Sequence, residues 1–218
     1  MNDYPIIEPE SLKEKLDTGE DIMILDVREP FEYDGWHIPS SINVPMRQLN
    51  EALNTIPRNR EIVAVCATGA RSGRVRETLA RLGYNIKNMQ GGMVAWNRVY
   101  DIVSIPFEQN NIQIFQFRRV GKGCLSYMII SGDKAIVIDP TTSTEVYINA
   151  SKTKNAHIIA VLDTHTHADH VSSSRILADQ TGATYYSPDE TIMIEHENVK
   201  SQMQFGNIII NVLPTPGH

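Results

Sequence analysis

The stretch Ile62-Val-Ala-Val-Cys66-Ala-Thr-Gly-Ala-Arg71-Ser72 joins a short apolar run, a loop of small residues and the start of a helical pattern. The continuous apolar run is typical of a strand that is buried on both faces. From Ser72 to Leu82 apolar residues recur at helical spacing, and Gly83 follows where a C-terminal cap is expected. The cysteine loop is therefore predicted to lie between a buried strand and a helix.

The same alternation extends through the first hundred residues. Pro9–Leu16 has the pattern of an amphipathic helix, Ile22–Leu25 is a second buried run, and Met93–Tyr100 is expected to be a closing helix. Strands that alternate with helices at this spacing predict an α/β domain with a mostly parallel sheet. We expect this domain to span residues 1–101.

A change of pattern follows the first domain. The polar stretch 102–111 is expected to be a linker, and residues 112–218 a second domain. There Leu125–Ile130 and Ala135–Ile138 flank Ser131-Gly-Asp133, which predicts a hairpin. Further elements are expected at Glu145–Ser151 (helix), Ile158–Leu162 (strand), Ser173–Gln180 (helix) and Ile208–Leu213 (strand).

The amino-acid composition of the chain argues against several classes of binding partner. The formal net charge is -6 at pH 7, and the Lys and Arg residues are dispersed, which argues against nucleic acid or an anionic membrane as partner. The amino terminus lacks a hydrophobic signal core, and no apolar run approaches the length of a membrane span. The presence of only two cysteines argues against a disulfide scaffold. These features favour a cytoplasmic protein.

The cysteine loop has the features of an anion cradle. Successive backbone N–H groups before a helix can point into one concavity, and the helix dipole and Arg71 favour negative charge there. The pKa of the Cys66 thiol should therefore be low, and the thiolate can attack a sulfane sulfur. We predict Cys66 as nucleophile and sulfur carrier and Arg71 as anion anchor. The predicted persulfide cradle comprises Ala67, Thr68, Gly69, Ala70 and Ser72.

The cysteine has two other interpretations. A buried structural cysteine is the first, because free cysteine is often a core residue. A protein phosphatase is the second, since such enzymes also place a cysteine and an arginine around an anion. In phosphatases five residues separate the two, whereas four separate Cys66 from Arg71. The tighter loop suits a sulfur atom better than a phosphate group.

Residues 6–100 resemble a rhodanese homology domain. Three motifs carry the resemblance: Leu25-Asp-Val-Arg-Glu29 with the Glu32-Tyr33, Gly35-Trp-His-Ile38 and Asn43-Val-Pro45 segments that follow it, the Cys66 loop, and Gly91-Gly-Met-Val-Ala-Trp96. The resemblance implies sulfurtransferase activity with small sulfur compounds such as thiosulfate, glutathione persulfide and sulfite. It also implies that Asp26, Arg28 and Glu32 are structural, with Arg28 and Glu32 paired.

A histidine cluster marks the second domain. Asp163-Thr-His165-Thr-His167-Ala-Asp169-His170 follows a predicted strand and precedes a helix. Three imidazoles and carboxylates crowded together are costly unless they share a task, and ligation of a divalent metal is such a task. The alternative is a solvated loop that happens to be rich in histidine.

The spacing of this cluster resembles the metallo-β-lactamase superfamily, and the Gly123-Cys-Leu-Ser-Tyr127 and Val137-Ile-Asp-Pro140 segments resemble its persulfide dioxygenases. The resemblance implies one Fe(2+) held by two histidines and an aspartate. The two histidines map to His165 and His218. His167, Asp169 and His170 bind metal in two-zinc relatives and support the ligands in the iron enzymes, so Zn(2+) is the alternative cofactor.

This second resemblance covers residues 112–218, the first half of an αββα sandwich. The family's aspartate ligand and later histidine would lie downstream of the sequence. We therefore expect a fragment of a longer protein, or a homo-oligomer or other chain that completes the metallo-domain. A chain without bound metal is the third alternative, beside Fe(2+) and Zn(2+).

Three functional hypotheses follow from the sequence. The first is a sulfurtransferase coupled to an iron-dependent persulfide dioxygenase-like domain. The second is a two-zinc hydrolase with an accessory rhodanese domain. The third is a non-enzymatic persulfide carrier or sensor.

Overall fold

The structure, a computed structural model, describes residues 5–107, 111–167, 172–188 and 195–215. Two compact units make up the chain, Met1–Val99 and Tyr100–His218. No helix in the described ranges combines the length and the hydrophobicity that a bilayer span requires.

The first unit is built on a five-stranded sheet in the order β1-β5-β4-β2-β3. Its strands are β1 (Ile6–Ile7), β2 (Ile22–Asp26), β3 (Ile42–Asn43), β4 (Glu61–Val65) and β5 (Ile86–Met89). Its helices are α1 (Pro9–Asp17), α2 (Pro30–Gly35), α3 (Leu49–Ala52), α4 (Ala70–Arg81) and α5 (Gly92–Trp96), with short 3-10 turns at Met46–Gln48 and Leu53–Thr55. Every strand pair is parallel, which confirms the predicted α/β fold with a parallel sheet.

The core of this unit lies along the two central strands. All five residues of β2 are buried, as are the last four of β4. Val75 and Leu79 of α4 pack against this layer, which explains the helical spacing of apolar residues in the sequence. Because β4 is in the middle of the sheet, the residue after it, Cys66, lies at the carboxyl edge of the sheet.

The second unit contains a seven-stranded mixed sheet in the order β12-β11-β10-β9-β8-β7-β6. Its strands are β6 (Tyr100–Ile105), β7 (Ile112–Arg119), β8 (Leu125–Ser131), β9 (Lys134–Ile138), β10 (His157–Leu162), β11 (Thr184–Ser187) and β12 (Glu197–Asn198). Neighbours from β6 to β9 are antiparallel, and those from β9 to β12 are parallel. Helices α6 (Thr144–Thr153) and α7 (Ser174–Thr181) precede β10 and β11.

Both faces of the mixed sheet are covered. On one face, Tyr147 of α6 and Leu177 of α7 pack in a cluster with Phe117, Met128 and Val137 of the sheet. On the other, the sheet packs against a two-stranded hairpin of β13 (Gln202–Phe205) and β14 (Ile208–Asn211). The order of packed layers is consistent with a partial αββα sandwich.

Two predicted boundaries differ from the structure. The linker expected over 102–111 begins instead as β6, which pairs antiparallel with β7. The helix expected over Met93–Tyr100 ends at Trp96. The β-branched residues Ile102, Val103 and Ile105 favour a strand when a partner is available. The residues that indicated a linker all follow β6 in the sequence: Pro106, Gln109, Asn110 and Asn111.

Candidate functional site

The Cys66 thiol is buried, and the residue is 1% exposed. Its Sγ atom accepts hydrogen bonds from the Gly69 N–H at 3.2 Å and the Ser72 hydroxyl at 3.3 Å. Burial opposes ionisation of the thiol, but hydrogen bonds from the Ser72 hydroxyl and from the N–H groups of Ser72, Thr68 and Gly69 outweigh it. The pKa of Cys66 therefore lies below its ordinary value. This environment stabilises a thiolate.

The loop that carries Cys66 rests on the segment after β5. The N–H of Met93 donates to the Cys66 carbonyl at 2.8 Å, and that of Val94 to the Ala67 carbonyl at 3.0 Å. Gly92 lies so close that a Cβ atom there would approach the Cys66 carbonyl oxygen to 2.3 Å. The glycine pair of the third sequence motif thus allows α5 to pack directly against the backbone of the cysteine loop.

Arg71 of the loop is bound by a carboxylate from a distant element. Its Nη1 and Nη2 atoms donate to the two carboxylate oxygens of Glu32, each at 2.7 Å. The hydrogen bond from Arg71 holds the pKa of Glu32 at about 2, against a partial opposing effect of burial. The same pair raises the pKa of Arg71. The guanidinium is thus held at the rim of the loop by a fixed anion.

The predicted pairing of Arg28 with Glu32 is wrong. Arg28 binds Asp26 instead, with Nη2 at 2.6 Å and Nε at 3.0 Å from the carboxylate, and also donates to the Trp36 carbonyl. The Arg28 N–H donates to the same carboxylate at 3.0 Å. Because the carboxylate of Asp26 binds the guanidinium of Arg28, the carboxylate of Glu32 is available to bind Arg71.

Three residues of the predicted cradle donate hydrogen bonds to the Cys66 thiol. Thr68, Gly69 and Ser72 supply donors to the Cys66 thiol. Ala70 begins α4, and Gly69 precedes it with a φ of +93°. The carbonyl of Ala67 faces the supporting segment. The donors to sulfur thus come from the loop centre and the first turn of the helix.

A second group of polar residues lies where two parallel strands end in the other unit. Asp139 follows β9, and His165 and His167 follow β10. Ligand atoms of these three residues all lie within 4.8 Å of one another. Nε2 of His167 is 3.1 Å from Oδ1 of Asp139. Two imidazoles and a carboxylate form a donor set that suits a divalent metal such as iron or zinc.

Hydrogen bonds position this group from both sides. Thr164 donates to Asp139 through its N–H and its hydroxyl, each at 2.7 Å. Asp163 is buried and accepts hydrogen bonds from the hydroxyls of Ser172, Ser174 and Tyr185 at 2.5 to 3.1 Å. Its Oδ1 atom also lies 3.7 Å from Nε2 of His167.

Sequence reasoning missed Asp139 as a member of this group. The signal was present, because the carboxyl ends of adjacent parallel strands meet at one edge of a sheet, and Ile138 is in register with Leu162. Of the predicted metal residues, His165 and His167 are in the group. Asp169, His170 and His218 lie outside the described residues.

Comparison with known proteins covers the first unit almost completely. Residues 8–99 match the family model described as Rhodanese-like domain. A sulfurtransferase from Allochromatium vinosum is 36% identical over 93 residues, which are 42% of this chain and 87% of that protein. The chain belongs to the rhodanese-like family.

Other relatives match the rhodanese domain over similar lengths. The putative sulfurtransferase YtwF of Bacillus subtilis is 35% identical over 86 residues, covering 39% of this chain and 84% of that protein. The thiosulfate sulfurtransferase PspE of Escherichia coli is 34% identical over 71 residues, covering 32% and 68%. Residues 119–215 match the Metallo-beta-lactamase superfamily model. The rhodanese domain is thus followed by a segment that is similar to the metallo-β-lactamase superfamily.

Proposed function

We propose that the rhodanese domain is a sulfurtransferase that carries sulfane sulfur as a persulfide on Cys66. The observation that carries the proposal is the set of donors around the thiol, from Gly69 and Ser72. Donors of this kind stabilise a thiolate and then the persulfide anion that replaces it. A cysteine that only fills space in the core stays neutral, and these donors would then stabilise no charge on its sulfur.

The residues of the loop define each step of the transfer. The Cys66 thiolate attacks the outer sulfur of a donor, so that an Sγ–S bond forms and the donor's S–S bond breaks. Sulfite leaves if the donor is thiosulfate, and a thiolate leaves if it is an organic persulfide. A nucleophilic acceptor then attacks the terminal sulfur and releases the Cys66 thiolate. Arg71 is the proposed anchor for the charge of the reactants.

Replacement of the nucleophile tests this function. Cys66→Ser is expected to lower sulfur transfer from thiosulfate or persulfide to cyanide or sulfite by roughly three orders of magnitude or more, since a serine hydroxyl cannot form a persulfide. Cys124→Ser is the matched control, because it removes the other thiol of the chain. This variant should transfer sulfur at the normal rate. Full activity in Cys66→Ser would refute the proposal. A persulfide on Cys66 without turnover would instead favour a carrier or sensor.

For the metallo-β-lactamase domain we propose a metal-dependent reaction, with Fe(2+) and the oxidation of persulfides as the first choice. The donor set of Asp139, His165 and His167 fits a divalent cation, and His218 is the further ligand that the resemblance implies. Bound iron would supply a redox centre for O2, whereas bound zinc would supply a Lewis acid for hydrolysis. His165 also lines an open cavity of about 640 Å³, which gives a substrate access. Sulfite from such an oxidation could accept sulfur from Cys66 to give thiosulfate.

Metal analysis distinguishes iron from zinc. We expect a single iron and oxygen uptake with glutathione persulfide, and we expect His165→Ala to lose both the metal and the thermal stabilisation that metal provides. Two zinc ions with thioester or lactam hydrolysis would overturn the iron proposal in favour of the hydrolase. Retention of stoichiometric metal in His165→Ala would remove that residue from the site.

A further inference from the structure

The guanidinium of Arg71 is already engaged by an internal anion. Glu32 accepts two parallel hydrogen bonds of 2.7 Å from its Nη1 and Nη2 atoms. This is one of the two faces through which a guanidinium binds planar or tetrahedral anions with two hydrogen bonds. A sulfur donor that needs this face must therefore compete with Glu32, which is covalently tethered and always present.

Glu32 is itself fixed in place. It lies in the first turn of α2, where its Oε2 atom accepts the N–H of Glu29 at 3.0 Å in a capping box. Its side chain is only 22% exposed. The side chain of Glu29 in turn binds Arg47 at 2.6 Å. The carboxylate of Glu32 thus cannot easily turn away when a donor arrives.

The charged side chains at the edge of the cysteine loop, which we call the rim, cancel in pairs. Arg71 and Arg47 are each paired with a glutamate, so the two cations face two anions. The remaining attraction for a donor comes from the N–H and hydroxyl dipoles around Sγ and from the part of the Arg71 guanidinium that faces Cys66. A fixed carboxylate repels a dianion about twice as strongly as a monoanion at the same distance. A rim of this kind therefore disfavours compact dianions.

We propose that Glu32 determines which sulfur donor Cys66 accepts, by neutralising Arg71 so that organic persulfides are preferred over the thiosulfate dianion. The inference rests on the proposed sulfurtransferase function and names its donor class. In the preferred reaction the Cys66 thiolate takes the outer sulfur of R–S–SH, the S–S bond of the donor breaks, and RS⁻ leaves. No oxidant or reductant is consumed.

The experiment compares two donors on the full chain, thiosulfate and mercaptoethanol persulfide, by the rate at which Cys66 gains a sulfur. Glu32→Gln keeps an acceptor for the Glu29 N–H but removes the charge, so Arg71 becomes available to the dianion. We expect the kcat/KM for thiosulfate to rise roughly tenfold relative to that for the persulfide. Glu32→Asp retains the charge and should restore the original ratio. Glu20→Gln, which removes an anion paired with Lys15 at the opposite end of the parallel sheet, controls for net charge.

Each outcome is decisive. A parallel loss with both donors in Glu32→Gln would overturn the proposal, because Glu32 would then only position the loop. A wild-type preference for thiosulfate would also overturn it. If Glu32→Gln fails to fold, the wild type still provides a test, because its KM for thiosulfate should change little with ionic strength when Arg71 is neutralised, and a steep rise would contradict this. If neither donor loads Cys66, the sulfurtransferase function itself fails.

Discussion

Gly92→Ala is expected to abolish sulfur loading of Cys66 and to lower the free energy of unfolding of the rhodanese domain by about 3 kcal/mol or more. A methyl group there would lie 2.3 Å from the Cys66 carbonyl oxygen and 2.7 Å from the Gly69 nitrogen. Both are backbone atoms, which cannot rotate out of the way. The φ of Gly92, +58°, adds a conformational penalty for any residue with a side chain.

Tryptophan fluorescence during urea unfolding provides the measurement. Both tryptophans of the chain, Trp36 and Trp96, belong to the first unit, so the signal reports on the rhodanese domain. Gly19→Ala is the matched control, since φ there is +74° but no atom lies within 4 Å of the added Cβ. It should lose only about 1–2 kcal/mol, with normal sulfur loading. Equal losses in both variants would show that contact of α5 with the loop does not hold the cysteine.

Local features of the chain were predictable from the sequence. The buried runs of β2 and β4 and the amphipathic α4 each extend over five or more residues, so their hydrophobic pattern defines them. By contrast, β1 and β3 are two residues long and are strands only because a neighbour pairs with them. β6 is six residues long, but the polar residues that follow it indicated a linker, and its pairing with β7 makes it a strand.

The partner of Arg71 could not be predicted, because it depends on tertiary structure. Glu32 is 39 residues away in the chain, and the two meet only because parallel neighbours β2 and β4 lead into α2 and α4 at the same edge of the sheet. The resemblance to rhodanese domains implied a different pair, Arg28 with Glu32, whereas Arg28 binds Asp26. Asp139 was missed similarly, since the parallel pairing of β9 with β10 brings it to the histidines.

Asp26→Ala is expected to destabilise the rhodanese domain by about 3–5 kcal/mol. The Asp26 carboxylate is fully buried and accepts hydrogen bonds from three groups of Arg28: the backbone N–H, Nε and Nη2. Arg28 is itself only 6% exposed. Removal of the carboxylate leaves a buried guanidinium without its counter-ion, and that uncompensated charge accounts for most of the loss. The same urea titration, followed by tryptophan fluorescence, measures the change.

Two further variants separate the charge from the packing. Asp21 is the matched exposed partner, with a side chain that is 79% exposed and pairs with Arg60 at 2.9 Å, and Asp21→Ala should cost under about 1 kcal/mol. The double variant Asp26→Leu with Arg28→Met removes both charges and should recover part of the stability lost in Asp26→Ala. A single Asp26→Ala variant as stable as Asp21→Ala would contradict the argument, because a buried guanidinium would then have found another anion or water.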